Sequence, residues 1–405
     1  MSDDKFCIIP WIHLNTEPNG RVKPCCSYFG EDFGDLKESS LEEIWNNDKM
    51  KTMRKMFLEN KIPSGCLTCV KKEDSGGHSY RKAILDRFGH HVEKAKNNTK
   101  LDGTYENFEL IFWDFRFSNI CNFKCRMCGH GCSSSWYDDF TTEEKKYKVK
   151  FFDSSFHGRD LMSYVDKFID VVEEIYFAGG EPLLMAEHYQ ILDKLIAKEK
   201  YDVFLRYNTN MSTIKYKDYD LIEIWKRFKD VRIFASIDGI EENAEYSRYG
   251  TDWPRVEDNL LKLSQSGINY VISSTINIFN VFNFTSLVDR IIELNISVRK
   301  MLVSHVVNWP AYYATNILPE DLKLKLSNQL DNHFISISPK LTIQEYQWLE
   351  NLYKEIKFYL ETSKDENEVL SLQKQFKSMT LKLDGIRKEN IKTAVPEIAE
   401  WFDTI

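Results

Sequence analysis

Cys121-Asn122-Phe123-Lys124-Cys125-Arg126-Met127-Cys128 puts three thiols into one short stretch, spaced C-x3-C-x2-C. Thiolates this close repel one another, and burying them is costly unless a metal takes up their charge. The spacing is too tight for disulfides that staple distant segments. It is one ligand short of a closed tetrahedral zinc site. Three thiolates can instead hold three irons of a cubane cluster and leave the fourth open to chemistry. The competing reading is three unligated, buried thiols in a cysteine-rich chain.

The bulk numbers are compatible with a metalloprotein. A chain of 405 residues has room for two or three domains, and an apolar share of 42% supports a core. Lys+Arg 54 against Asp+Glu 62 leaves a net charge of -8, which argues against binding nucleic acid by overall charge. The start, Met1-Ser2-Asp3-Asp4-Lys5, is acidic and lacks the apolar region of a signal peptide, and no apolar run reaches membrane-spanning length. The expected location is the cytoplasm, with no membrane partner. Thiols stay reduced there, so nine cysteines point to metal.

Upstream, Phe6 to Leu14 and Val22 to Cys26 flank Asn19-Gly20, a hairpin signal that would bring Cys7 near Cys25. A helical pattern with Leu41, Ile44, Trp45 and Met53 follows, then Cys66-Leu67-Thr68-Cys69, a C-x2-C knuckle. Cys7, Cys25, Cys66 and Cys69 therefore form a candidate four-thiolate site, with Cys26 as the alternative to Cys25. Zinc and an iron-sulfur cluster both suit it. His13 reads as a core histidine. Residues 96–107 are polar with turn formers and read as a linker.

Downstream, the apolar period switches between 2 and 3.6 six times. Strands are expected at Phe108–Phe117, Glu174–Phe177, Val203–Tyr207, Val231–Ile237, Tyr270–Ile276 and Val298–Val303, with amphipathic helices between them. Such alternation implies parallel strands with right-handed crossovers, in an open sheet or a barrel, and a functional face at the C-terminal strand ends. Gly179-Gly180-Glu181-Pro182 follows the second strand, where glycines let backbone approach a ligand and a carboxylate can accept from an ammonium. Asn208-Thr209-Asn210 follows the third: amides there can bond a ribose or a carboxylate, or cap a helix. Ser236 ends the fourth strand, and Arg248 follows within Tyr246-Ser247-Arg248-Tyr249-Gly250, a guanidinium suited to gripping a carboxylate. Asn277 and Asn280 are weaker candidates. Asp114 and Arg116 form a charged pair among apolar neighbours, and Cys132 reads as a plain cysteine. Beyond residue 305, Tyr346 to Leu360 and Val369 to Leu383 read as helices of a cap.

The three-cysteine stretch and the Gly-Gly-Glu-Pro turn resemble the radical S-adenosylmethionine (SAM) enzymes. The resemblance implies an α/β fold, a partial (β/α)6 barrel of radical SAM type. It implies a [4Fe-4S] cluster on Cys121, Cys125 and Cys128, chelated at its open iron by SAM. One-electron cleavage of SAM then gives a 5'-deoxyadenosyl radical that abstracts hydrogen from substrate. SAM would be held by Met127, where the family usually carries an aromatic, and by Gly179, Gly180, Glu181, Asn208, Ser236 and Arg248. The string with Cys7, Cys25, Cys66 and Cys69 resembles the SPASM and twitch auxiliary iron-sulfur domains, which usually follow the barrel and here precede it. The cysteine count suits one auxiliary cluster.

The expected organisation is a small cysteine-rich α+β domain over residues 1–95, a linker over 96–107, a core barrel over 108–305 and a helical C-terminal extension over 306–405. The expected function is a radical SAM oxidoreductase or transformase acting on a peptide, a protein or a small molecule, with an electron donor such as flavodoxin or ferredoxin. A metal-stabilised binding or electron-transfer protein is the alternative from another class. The Gly-Gly-Glu-Pro turn counts against it, because an electron carrier has no need of a SAM site.

Overall fold

The computed structural model describes residues 5–74, 77–152, 160–362 and 364–405; residues 1–4 of the acidic start lie outside them. The chain forms two compact units. The first comprises residues 1–120, 151–207 and 227–230, the second 121–150, 208–226 and 231–405.

In the first unit, Asn19-Gly20 turns a hairpin in which Asn15 pairs with Lys23 and Thr16 with Val22, Gly20 taking a φ of 91° that suits glycine. The hairpin strand His13–Thr16 also pairs in parallel with Phe112–Phe115, which pairs in parallel with Glu174–Phe177, which pairs in parallel with Phe204–Thr209. The strand expected over Phe108–Phe117 is thus only four residues long, matching the four-residue neighbour it pairs with. The period of 2 sorts these strands into two faces. Trp113, Phe115, Ile175, Phe177, Leu205 and Tyr207 share the apolar face and are buried. Each large apolar side chain so buried contributes about 1.5–3 kcal/mol. Helix Leu161–Phe168, capped by Asp160, buries Leu161, Tyr164, Val165 and Phe168, and helix Ala186–Ala197 buries Ile191, Leu192 and Leu195.

The opposite face carries His13, Asn15, Asp114, Glu174, Tyr176 and Arg206, matched across the strands by register. The charged groups on this face are paired. Arg116 pairs with Asp114 at 3.2 Å, and Arg87 and Arg206 flank Glu174 at 2.8 and 3.3 Å. The polar stretch 96–107 is pinned at Tyr105, whose carbonyl accepts from Trp45 Nε1 (3.1 Å) and Asn46 Nδ2 (3.0 Å).

In the second unit, Val231–Ala235, Asn269–Ile276 and Met301–Val306 pair in parallel, and helices Trp253–Gln265 and Phe284–Glu293 make the crossovers. The sixth strand begins at Met301 because Val298–Lys300 forms a 3-10 turn. The C-terminal region holds three long helices, Glu320–Ile337, Ile343–Glu361 and Glu366–Arg387. The last two match the sequence expectation. The first was not read, although Leu322, Leu326 and Leu330 recur at the i, i+4 spacing of a helix face and are buried. No helix among the described residues is long and apolar enough to cross a membrane.

Candidate functional site

Cys121, Cys125 and Cys128 lie on one tight loop in the second unit. The Cys128 amide donates to the Cys125 carbonyl at 3.0 Å, a turn closed by the two residues between them. Lys124–Cys125 pairs antiparallel with Arg248–Tyr249, so Cys125 sits opposite Arg248. Ser135 Oγ donates to the Cys121 carbonyl at 2.7 Å, and Trp136 Nε1 donates to the Cys125 carbonyl at 3.2 Å. The loop backbone is therefore fixed from both sides, and Met127 sits half-buried beside Cys128.

Arg248 Nη1 approaches Cys125 Sγ at 3.8 Å, and Asn210 Nδ2 donates to Cys121 Sγ at 3.9 Å. The hydrogen bond from Cys128, joined by the Arg248 charge and working against burial, holds the Cys125 thiol below its ordinary value. Thiolate character is what an iron ligand requires. Arg248 is itself held by Asp238, Nε to Oδ2 at 2.6 Å, and Asp238 Oδ1 accepts from the Thr275 amide at 2.8 Å. Ser236 lines a small crevice with Asn210, Asp238 and Arg248, and its amide donates to the Thr209 carbonyl at 2.8 Å. Asn208 is exposed at the end of its strand. Asn277 and Asn280 both donate to the Thr275 carbonyl, at 3.0 and 2.8 Å, and so serve the turn after their strand. Cys132 is exposed.

The Gly-Gly-Glu-Pro turn lies in the first unit. Gly179 and Gly180 take φ values of +81° and +49°, and a Cβ on Gly180 would stand 2.2 Å from the Ile120 carbonyl oxygen. The Glu181 amide donates to that same carbonyl at 2.7 Å. The turn is therefore bonded to the residue that immediately precedes Cys121 in the chain. Glu181 is buried and caps the short turn Pro182–Leu184 by accepting from the Leu183 amide at 3.1 Å. Side-chain-free backbone beside a buried carboxylate fits the ammonium end of an amino acid. Three thiols on one loop, with a guanidinium and an amide beside them, fit a three-thiolate cluster.

The four upstream cysteines gather in the first unit. Burial, then the charges of Cys66 and Cys69, push the Cys7 thiol up to about 12 against the pull of the Ile9 amide. Burial, followed by Cys69, takes Cys66 to about 12. Burial raises Cys25 as well, with Cys26, Cys7 and Cys66 adding to it. Cys26 feels burial first and then Asp114, Arg116 and Arg206 instead. Cys25 thus lies with the other thiols and Cys26 toward the polar strand face, the two standing at a turn closed by the Tyr28 amide on the Cys25 carbonyl at 3.2 Å. Arg81 donates to the Phe6 carbonyl at 2.8 Å and to Glu73 at 3.0 Å, a cation next to the thiol group. His13 Nδ1 donates to the Phe112 carbonyl at 2.9 Å.

Sequence reading left Asp238 without a role, as well as the serines behind the loop, and did not place the Asn210 amide against a cysteine. The Asp238–Arg248 spacing of ten residues carries no motif, and only the pairing of two short strands brings the arginine to the cysteine.

Residues 115–291 match the family model of the Radical SAM superfamily, and residues 7–70 match SPASM, an iron-sulfur cluster-binding domain. No curated protein matches the chain. Among solved structures, the chain is similar to native anSMEcpe with bound AdoMet and Cp18Cys peptide, at 16% identity over 54% of this chain and 58% of that one, with a TM-score of 0.36. It is also similar to SuiB of Streptococcus suis bound to the precursor peptide SuiA, at 16% identity over 70% of this chain and 63% of that one, with a TM-score of 0.37. The chain spans about three fifths of the length of these structures. The matched domains imply a [4Fe-4S] cluster, SAM and additional iron-sulfur. Residues 115–291 thus form a domain of the Radical SAM superfamily, preceded over residues 7–70 by an iron-sulfur cluster-binding domain of the SPASM type.

Proposed function

We propose that this protein is a radical SAM oxidoreductase or transformase in which Cys121, Cys125 and Cys128 hold the catalytic [4Fe-4S] cluster. Cys7, Cys25, Cys66 and Cys69 hold one auxiliary cluster. The observation that carries the proposal is the loop of three thiols with Arg248 Nη1 3.8 Å from Cys125 Sγ and Asn210 Nδ2 3.9 Å from Cys121 Sγ. When bound, the cluster and SAM supply one-electron cleavage of the sulfonium and hydrogen abstraction from the substrate.

The chain's own residues bind and aim. Glu181 accepts from the ammonium of SAM, and the bare backbone of Gly179 and Gly180 lets that end approach. Ser236 and Asn208 serve the carboxylate and ribose, and Met127 serves the adenine. Arg248, locked by Asp238, keeps a positive charge beside the cluster thiolates. The substrate is a peptide, a protein or a small molecule, and the polar strand face with Asp114, Arg116, Tyr176 and Arg206 is the surface that would meet it. Thiolate-held iron requires a reducing compartment, so the cytoplasm is the assigned location. Flavodoxin or ferredoxin is the assigned class of electron donor.

The test is anaerobic reconstitution followed by dithionite and SAM. About eight irons per chain, two cubanes, together with release of 5'-deoxyadenosine, support the proposal. Iron at half that level with zinc bound retains the enzyme and removes the auxiliary cluster. A fully loaded protein that leaves SAM intact sinks the reading.

A further inference from the structure

His90 and His91 end the 3-10 turn Gly89–His91 that follows helix Tyr80–Phe88, and Glu173 is the residue before strand Glu174–Phe177. His91 Nε2 lies 2.7 Å from Glu173 Oε1, and His90 Nε2 lies 3.1 Å from Oε2. The two imidazoles stand 4.1 Å apart between centroids, their planes tilted by 42°. One ligand atom from each of the three residues lies within 4.8 Å of the other two. A tetrahedral zinc ion with bonds of about 2.0–2.1 Å sets its ligand atoms about 3.4 Å apart, so small side-chain rotations close the site.

The frame behind these side chains is fixed. The Glu173 amide donates to the Ile111 carbonyl at 2.9 Å, and the Glu173 carbonyl accepts from the Phe204 amide at 2.8 Å. The His91 ring lies against Phe88 at 6.4 Å. The cluster borders a cavity of about 620 Å³ rimmed by Lys94, Glu109, Asp170, Lys200 and Asp202. Lys94 pairs with Glu109 at 3.0 Å and Lys198 with Asp170 at 2.8 Å, so the donor set rather than the charge of the rim selects the ion.

Two imidazoles and one carboxylate form an N2O donor set that prefers zinc, copper, nickel or cobalt to calcium or magnesium. We propose that His90, His91 and Glu173 form a mononuclear site for a divalent transition cation of the zinc class, with water in the remaining position. The ion links the turn after helix Tyr80–Phe88 to the start of strand Glu174–Phe177. Gly179 and Gly180 follow the other end of that strand, so the site is separate from the radical chemistry. It has a structural role, clamping two segments that are 82 residues apart.

The experiment titrates Co2+ into anaerobic, cluster-loaded, full-length protein and reads the visible spectrum. One equivalent should bind with the weak d–d bands of nitrogen and oxygen ligation and no intense thiolate charge-transfer band. His91→Ala and Glu173→Gln should each abolish that equivalent, whereas His78→Ala, which alters an exposed histidine paired with Asp86, should retain it. Zn2+ should raise the melting temperature of the parent protein and leave that of His91→Ala unchanged. Binding that persists in both variants, a thiolate-type spectrum, or no binding overturns the proposal.

Discussion

Arg126, which stands between two of the loop cysteines, places Nη2 2.5 Å from Asp384 Oδ1 and 2.7 Å from Glu389 Oε2. Its Nε donates to the Tyr246 carbonyl at 3.0 Å, and its guanidinium lies 3.7 Å from the Tyr246 ring centroid. Asp384 also accepts from Tyr246 Oη at 3.0 Å and from the Ile391 amide at 2.9 Å. Nearby, Arg387 Nη2 reaches Asp139 at 2.8 Å, and Lys124 pairs with the other oxygen of that carboxylate. The C-terminal helix Glu366–Arg387 therefore braces the cysteine loop by ion pairs rather than by apolar contact alone.

Removing Asp384 from this brace leaves a buried guanidinium with a single carboxylate, Glu389. Asp384→Ala should cost up to about 3 kcal/mol of stability, because buried Arg126 loses one of its two carboxylates and Tyr246 Oη loses its acceptor. Denaturant unfolding measures the loss. Iron content after reconstitution should fall with it, while Lys382→Ala, on an exposed part of the same helix, should leave both unchanged.

The two thiol groups should load independently. Cys125→Ala should abolish 5'-deoxyadenosine release and retain about four irons per chain at the upstream site. Cys66→Ala should do the reverse for iron and keep the cluster signal at the loop. Loss of all iron in either variant would contradict the assignment of two separate sites.

Gly180→Ala should weaken SAM binding by about tenfold or more, equivalent to at least about 1.4 kcal/mol. Its φ of +49° disfavours a side chain, and the new Cβ would stand 2.2 Å from the Ile120 carbonyl oxygen. Equilibrium binding of SAM to the reconstituted protein measures the effect, with the cluster absorption spectrum expected to stay as in the parent.

Burial lowers His13 to about 4 and His188 to about 3, so both are neutral in the folded state. The unfolded chain takes up these protons below its ordinary pKa of about 6.5. Their contribution is therefore complete above that value and is lost as pH falls toward 4 and then 3. The stability should drop by up to about 1.4 kcal/mol per pH unit for each histidine across its window. Denaturant midpoints measured between pH 7 and 4 should show it, and His188→Leu should flatten the slope.

Much of the site was legible because its residues sit close together in sequence. Cys121 to Cys128 and Gly179 to Pro182 are local patterns, and the six strands announce themselves by period. What stayed hidden depends on distance along the chain. Nothing beside Arg126 in the sequence announces its partner, since helix Glu366–Arg387 brings Asp384 to it from 258 residues away. His90, His91 and Glu173 share no motif and meet only where the turn after helix Tyr80–Phe88 packs beside the start of strand Glu174–Phe177. Whether Cys25 or Cys26 joins the upstream thiols depends on which side of the backbone each faces, which adjacent identical residues do not reveal. The hairpin strand His13–Thr16 pairs in parallel with a strand 99 residues further on, a partner no turn signal could name.

The brace between Arg126 and Asp384 also has a consequence in time. A ribosome adding 5–20 residues per second takes roughly 13 to 50 s to travel from one to the other. Throughout that interval the nascent loop has its cysteines and lacks its counter-charges. Delivery of iron and sulfide thus belongs after synthesis of the clamp, and a scaffold that donates clusters early would be loading an unfinished cradle.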